Sequence, residues 1–96
     1  MFFVAAAKLV LDFYGNDEVT EKRAQLKLLI KNVRKEFNVS ISEVEDFDDP
    51  ERCVLGLSLC AAERDEARAK LTQVAKHIDE TSFARVVTEE IDVLGF

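Results

Sequence analysis

Hydrophobic and polar residues are arranged along this chain in six segments that follow two different periods. Four segments carry apolar side chains at every second position or in an unbroken run, which is typical of β-strands. Two longer segments repeat their apolar residues every three or four positions, which predicts amphipathic helices. In chain order the predicted elements are a strand over residues 2–13, a helix over 18–36, strands over 39–44 and 52–61, a helix over 63–80 and a strand over 85–94.

This βαββαβ order predicts an α+β protein with the ferredoxin-like fold, in which a four-stranded antiparallel sheet carries both helices on one face. The 96 residues are enough for one such domain, over residues 1–96, with one core. We expect each helical crossover to join neighbouring parallel strands by a right-handed connection. The residues expected in the core include Leu26, Ile30, Val33, Leu71, Val74 and Ile78, together with Phe2, Phe3, Phe13, Phe37 and Phe83.

The negative charge is concentrated in residues 43–51, which contain six acidic residues and no basic one. The charge of this segment equals the formal net charge of the whole chain, −6. The negative net charge excludes a protein that binds nucleic acid with a surface that is basic all round. Outside this segment, charge has to be considered one surface region at a time. The segment lacks the central glycine and final glutamate of a calcium loop, so we predict no metal site and interpret the acids as keeping a hairpin soluble. Within it, Glu43 is expected to pair with Arg52 across the hairpin.

The first predicted helix carries five basic residues on one side of the helical wheel, with no acid between them. We call this set the basic stripe; its members are Arg23, Lys27, Lys31, Arg34 and Lys35. Such a stripe predicts an electrostatic contact with the phosphates of an RNA or with an acidic protein. The alternative is an ordinary solvated helix face, because lysine and arginine are good helix formers.

The two cysteines bear on the cellular location of the protein. Cys53 and Cys60 lie seven positions apart on one predicted strand, about 23 Å from each other and on opposite faces. They cannot form a disulfide with each other, and two free thiols favour a cytoplasmic location. No segment approaches the roughly 18 apolar residues of a membrane-spanning helix, so no membrane partner is expected.

Several chemistries known in ferredoxin-like proteins need residues that are absent here. The third strand has no aromatic residue to stack bases as an RNA-recognition motif does. The acidic segment 12–18 is no phosphate-binding loop, and neither cysteine follows the first strand, where a copper site would lie. His77 has no neighbouring Cys or Ser to activate. We therefore expect a protein that is not an enzyme and needs no cofactor.

Three motifs carry a family resemblance: Glu21–Arg23 (EKR), Glu36–Val44 (EFNVSISEV) and Arg52–Gly56 (RCVLG). Their residues and spacing resemble the YlxP-like family of small bacterial proteins, a domain of unknown function. The resemblance implies a ferredoxin-like fold and a gene neighbourhood of translation and ribosome-maturation factors, but no activity. The motif residues of unknown role are Lys22, Arg23, Asn38, Ser40, Glu43 and Arg52.

The basic stripe, taken with what the resemblance implies, predicts a small cytoplasmic accessory protein of bacteria that is associated with translation or ribosome maturation. In this interpretation the stripe contacts rRNA or a ribosomal or translation protein. The first alternative is a protein–protein or homo-oligomerisation module that uses the open face of its sheet and has no nucleic-acid role. A third class is a small-molecule sensor. The unbroken apolar run Phe2–Ala7 would leave an apolar patch on that face of a monomer, so we expect a homodimer or a partner that covers the sheet.

Overall fold

A computed structural model describes residues 1–96 and has the predicted order of elements, with every boundary within one residue of its predicted position. The ferredoxin-like fold is confirmed. Neither helix is both long and apolar enough to cross a membrane. The elements are β1 (Phe3–Asp12), α1 (Val19–Glu36), β2 (Ser40–Glu45), β3 (Arg52–Ala61), α2 (Arg64–Thr81) and β4 (Arg85–Gly95).

The four strands form one antiparallel sheet in the order β2-β3-β1-β4. The prediction that each crossover joins neighbouring strands is therefore wrong. The strand β3 pairs with β2 on one side and with β1 on the other, and β1 in turn lies between β3 and β4, so each crossover passes over one strand. As a result β2 and β4 are the two edge strands.

The core lies between the sheet and the two helices, and most of the predicted core residues are in it. Leu26, Val33, Leu71, Val74 and Ile78 are buried, as is Phe13, whereas Ile30, Phe3 and Phe37 are partly buried and pack against the core. The predictions for Phe2 and Phe83 are wrong, because these side chains are 48% and 85% exposed. Phe2 precedes β1 and alternates away from the helices, and Phe83 lies in the turn between α2 and β4.

Arginine side chains from the helices cover main-chain carbonyls on both edge strands. On β2, Arg34 Nη2 donates to the Ile41 carbonyl at 3.1 Å. On β4, Arg64 Nη1 donates to the Val93 carbonyl at 3.1 Å, and Arg68 lies farther along the same edge. These contacts occupy groups with which a strand of another chain would otherwise pair.

The open face of the sheet is polar at its centre and apolar at one end. Lys8 Nζ lies 3.5 Å from Glu45 Oε1 at the centre, and Glu90 is the β4 partner of Lys8. The expected apolar patch lies at the end where the two chain termini meet, and the half-exposed Val44 lies over Gly56 elsewhere on the same face. There the Phe2 and Phe96 rings stack with centroids 5.5 Å apart, and the Val4–Leu94 pair lies next to them.

Candidate functional site

A groove of about 680 Å³ runs between α1 and the edge strand β2. Its volume lies in the range of about 300–1,000 Å³ that is usual for ligand sites. The groove contains members of the basic stripe next to apolar side chains, and the partial exposure of Ile30 follows from its position in this groove. The lining residues are Arg23, Leu26, Lys27, Ile30, Lys31, Arg34, Ile41, Ser42, Glu43 and Phe47.

Helical spacing explains why the stripe borders this groove. Arg23, Lys27 and Lys31 recur every four residues on α1, so they form one row of side chains along the helix. Leu26 and Val33 point from the same helix into the core, which fixes its rotation about its axis. Four of the five stripe residues line the groove, and Lys35 lies outside it in the last turn of α1.

The two ends of the groove differ in charge. At one end, Arg23 Nη1 donates to Glu43 Oε1 at 3.2 Å and Nη2 donates to the Phe47 carbonyl at 3.0 Å. Arg23 is thus compensated by an acid and held against the acidic hairpin. None of Lys27, Lys31, Arg34 and Lys35 lies within 4.0 Å of an acidic oxygen. The uncompensated positive charge therefore extends over about 12 Å of helix, from Lys27 to Lys35.

Lys22 has a fully buried side chain, which is rare for lysine. Its Nζ donates to the carbonyls of Asp46, at 2.7 Å, and Arg52, at 3.0 Å, and lies 3.4 Å from Glu43 Oε2. Asp46 has a φ of 61°, a left-handed conformation that few residue types adopt readily. Lys22 thereby holds the β2–β3 hairpin against α1.

The predicted ion pair between Glu43 and Arg52 is wrong. The register places Glu43 opposite Leu55, on the face that the helices cover, so its carboxylate meets Lys22 and Arg23 instead. Arg52 Nε lies 3.5 Å from Asp46 Oδ2.

A second anchor of the hairpin, Asn16, was missed by the sequence analysis. Its Nδ2 donates to the Pro50 carbonyl at 2.9 Å and to the Glu18 carbonyl at 3.2 Å. Nothing in the sequence pattern distinguishes this asparagine from an ordinary turn residue. For Lys22 a signal existed, because it lies one turn before Leu26 and so falls within the apolar arc of α1.

Cys53 lies near Lys22, Glu43 and Asp46, and its thiol is unreactive. Burial raises the pKa of its thiol from 9.0 to about 12, and the nearby Glu43 carboxylate adds to the shift. The thiol is therefore protonated at neutral pH, and a protonated thiol is a poor nucleophile. Cys60 lies on the opposite face, exposed, so the predicted separation of the two cysteines is confirmed.

The family-motif residues divide into two groups in space. Lys22, Arg23, Glu43 and the Arg52 carbonyl meet where the hairpin packs on α1. Asn38 and Ser40 are exposed at the start of β2, and neither lines the groove.

Comparison with known proteins gives a family and a fold. The sequence model of a family described as "Protein of unknown function (DUF503)" matches residues 4–91. The "Uncharacterized protein YlxP" of Bacillus subtilis (strain 168) is 35% identical over 66 residues, which are 69% of this chain and 72% of that protein.

Among solved structures, the de novo designed protein LFR1 1 with ferredoxin fold has a TM-score of 0.52 at 18% identity, covering 98% of this chain and 84% of that one. The Bacillus subtilis YXEP protein, a dinuclear metal binding peptidase from the M20 family, has a TM-score of 0.54 at 12% identity. That match covers 100% of this chain but 26% of the peptidase chain. At these identities the likeness is one of fold alone.

Proposed function

The chain belongs to the DUF503 family of proteins of unknown function, and we propose that it is an RNA-binding accessory protein of translation or ribosome maturation. The observation that carries the proposal is the row of uncompensated bases, Lys27, Lys31 and Arg34, along a groove that also contains the half-exposed ring of Phe47. The link to translation rests on the gene neighbourhood that the YlxP-like resemblance implies.

The spacing of the bases supports a polyanion as the ligand. Lys27 and Lys31 are separated by one helical turn, about 6 Å, so adjacent lysines suit adjacent phosphates of an extended strand. A chain with net charge −6 binds such a ligand only where its positive charge is locally unopposed. The part of the stripe from Lys27 to Lys35 meets that condition, whereas Arg23 does not. The proposed role is binding in the cytoplasm, without catalysis or a cofactor.

The test is a triple charge reversal with a matched control. We expect K27E/K31E/K35E to weaken binding to labelled rRNA fragments about tenfold or more at low salt. The reason is that each phosphate contact releases counterions from the RNA, and this favourable release is lost with the contact. Arg34 is left in place because it holds the Ile41 carbonyl. The control K70E/K76E/R85E changes the net charge equally on α2 and β4, and should bind as the wild type does.

Fluorescence anisotropy and ribosome co-sedimentation measure the binding, and urea denaturation checks that both variants fold. Equal affinity of the stripe variant and the wild type would contradict the proposal, as would an equal loss in the control.

The second candidate is self-association through the apolar end of the open sheet face. It is favoured by the exposure of Phe2, Leu94 and Phe96, which are 48%, 58% and 60% exposed next to one another. A second copy of the chain would remove these side chains from water. This surface lies on the face of the sheet opposite to the helices, so a dimer formed there leaves the groove open.

A further inference from the structure

We propose that the groove takes single-stranded RNA, with phosphates along Lys27, Lys31 and Arg34 and one unstacked base against the ring of Phe47. This rests on the proposed function and adds the form of RNA and the mode of contact. Proteins that bind single strands combine a basic groove with an aromatic ring that accepts a base, and both features occur together here.

Phe47 is presented to the groove by a fixed loop. Its side chain is 46% exposed and does not belong to the core cluster. Its carbonyl accepts a hydrogen bond from Arg23, and the carbonyl of the preceding Asp46 accepts one from the buried Lys22. The main chain at Phe47 is therefore held at one end of the groove before any ligand arrives, so binding has to order little more than the side chain.

The edge of β2 is poorly suited to an added peptide strand, which is the usual way that a groove beside an edge strand is filled. Arg34 occupies the Ile41 carbonyl, and the register of β2 with β3 shifts between Glu43 and Glu45. A ligand here is contacted by side chains rather than by a main-chain ladder. A purely acidic peptide such as poly-glutamate would match the charge of the lysines but has no ring to stack on Phe47.

An RNA duplex fits the groove less well than a single strand. Its bases are stacked inside the helix, where a side chain at the rim of a groove does not reach their faces. The hairpin also limits the path of the phosphates, because the exposed acids Asp48 and Asp49 follow Phe47 directly. The phosphate contacts therefore end at Phe47, where one base turns onto the ring.

The chain contains no tryptophan, so a single introduced indole reports on this contact. In the Phe47→Trp variant we expect single-stranded RNA to quench the indole fluorescence on binding, and inorganic polyphosphate, which has no bases, to leave it unchanged. The matched control is Phe83→Trp, which introduces an indole at an exposed position in the turn between α2 and β4, away from the groove. Its fluorescence should not respond to either ligand.

Affinity provides the second readout. Phe47→Ala should weaken binding to single-stranded RNA about fivefold or more and leave binding to polyphosphate unchanged, because only the base contact is removed. An RNA duplex of equal length should bind more weakly than the single strand to the wild type and should be insensitive to this substitution.

The inference is overturned if K27E/K31E/K35E loses RNA binding while single-stranded RNA leaves the fluorescence of F47W as unchanged as that of F83W, and F47A binds RNA as tightly as the wild type. In that case the proposed function stands and the stacking mode fails. If the stripe variant keeps full RNA affinity, the proposed function itself fails. A poly-glutamate peptide that binds as tightly as the RNA would also overturn the inference, in favour of an acidic protein partner.

Discussion

Lys22 Nζ lies 3.4 Å from Glu43 Oε2, with the two side chains 0% and 9% exposed. This contact joins the first turns of α1 to the edge strand β2. Two carbonyls of the hairpin complete the shell around the ammonium group, which makes Lys22 a positioning residue for the hairpin and for Phe47 at its tip. A charge pair so far from water contributes to stability only while both partners are present.

Lys22→Met is expected to lower the free energy of unfolding by about 3 kcal/mol, because it leaves a buried carboxylate and two carbonyls short of a donor. Urea denaturation measures the loss. In a double-mutant cycle, K22M/E43Q should lose less than the sum of the single variants, since the charges act as a unit. The comparison variant is Arg23→Met, whose side chain is 48% exposed, and its loss should stay below about 1 kcal/mol. If K22M and R23M lowered the free energy of unfolding equally, the burial of Lys22 would make no difference to stability.

The acidic hairpin tip should weaken the binding of polyanions. Asp48 and Asp49 directly follow Phe47, which lines the groove, and charges closer together than about 8–10 Å are incompletely screened by salt. We expect D48N/D49N to bind RNA about two- to threefold more tightly at low salt, with the gain disappearing at high salt as the repulsion is screened. The turn should survive the change, because the amide oxygen introduced by D49N can still accept the hydrogen bond that Asp49 Oδ1 accepts from the Glu51 amide. Anisotropy titrations at two salt concentrations measure the effect, and a gain that persists at high salt would contradict this explanation.

The two thiols should differ in reactivity. At neutral pH an alkylating reagent is expected to modify Cys60 rapidly and Cys53 only when the chain is unfolded, because one thiol is exposed and the other is buried and protonated. Peptide mass spectrometry with and without urea identifies the modified residue. Rapid native labelling of Cys53 would mean that β3 is open to solvent.

The same thiol predicts a loss of stability in alkali. Its pKa is 9.0 in the unfolded chain and about 12 in the fold, so between pH 9 and 12 the unfolded chain has lost a proton that the folded chain keeps. The free energy of unfolding should therefore fall by about 1.4 kcal/mol per pH unit from this group across that window, and the contribution is fully present below pH 9. Cys53→Ala removes this part of the slope, so the difference between the two urea-denaturation series isolates it. Parallel pH profiles would contradict the assignment.

Self-association is tested by placing a charge at the apolar end of the open face. If this end is a dimer interface, Leu94→Glu should convert a dimer into a monomer in sedimentation experiments, since it buries a carboxylate in the contact. Val87→Glu is the control, because Val87 is similarly exposed at 47% but lies at the opposite end of β4. A wild-type protein that stays monomeric at high concentration would remove this candidate.

The order and type of the elements followed from the sequence because each element obeys a local rule. A period of 3.6 residues places Leu26, Val33 and the lysines of the basic stripe on two different sides of α1 whatever the helix packs against. Alternation along β3 likewise separates Cys53 from Cys60 without reference to any other strand. The basic stripe was visible for the same reason, since it is a property of one helix.

Which residues meet across elements depended on the tertiary structure. The sequence determined that Lys22 lies in the apolar arc and that Glu43 lies within a strand, but it paired Glu43 with the wrong arginine. The register of β2 on β3 and the packing of α1 on β2 decided that Glu43 faces Lys22 and Arg23. The same packing neutralised the Arg23 end of the stripe and placed Phe47 in the groove. Contacts between residues 20 or more positions apart depend on how elements dock against one another, and no local periodicity encodes that docking.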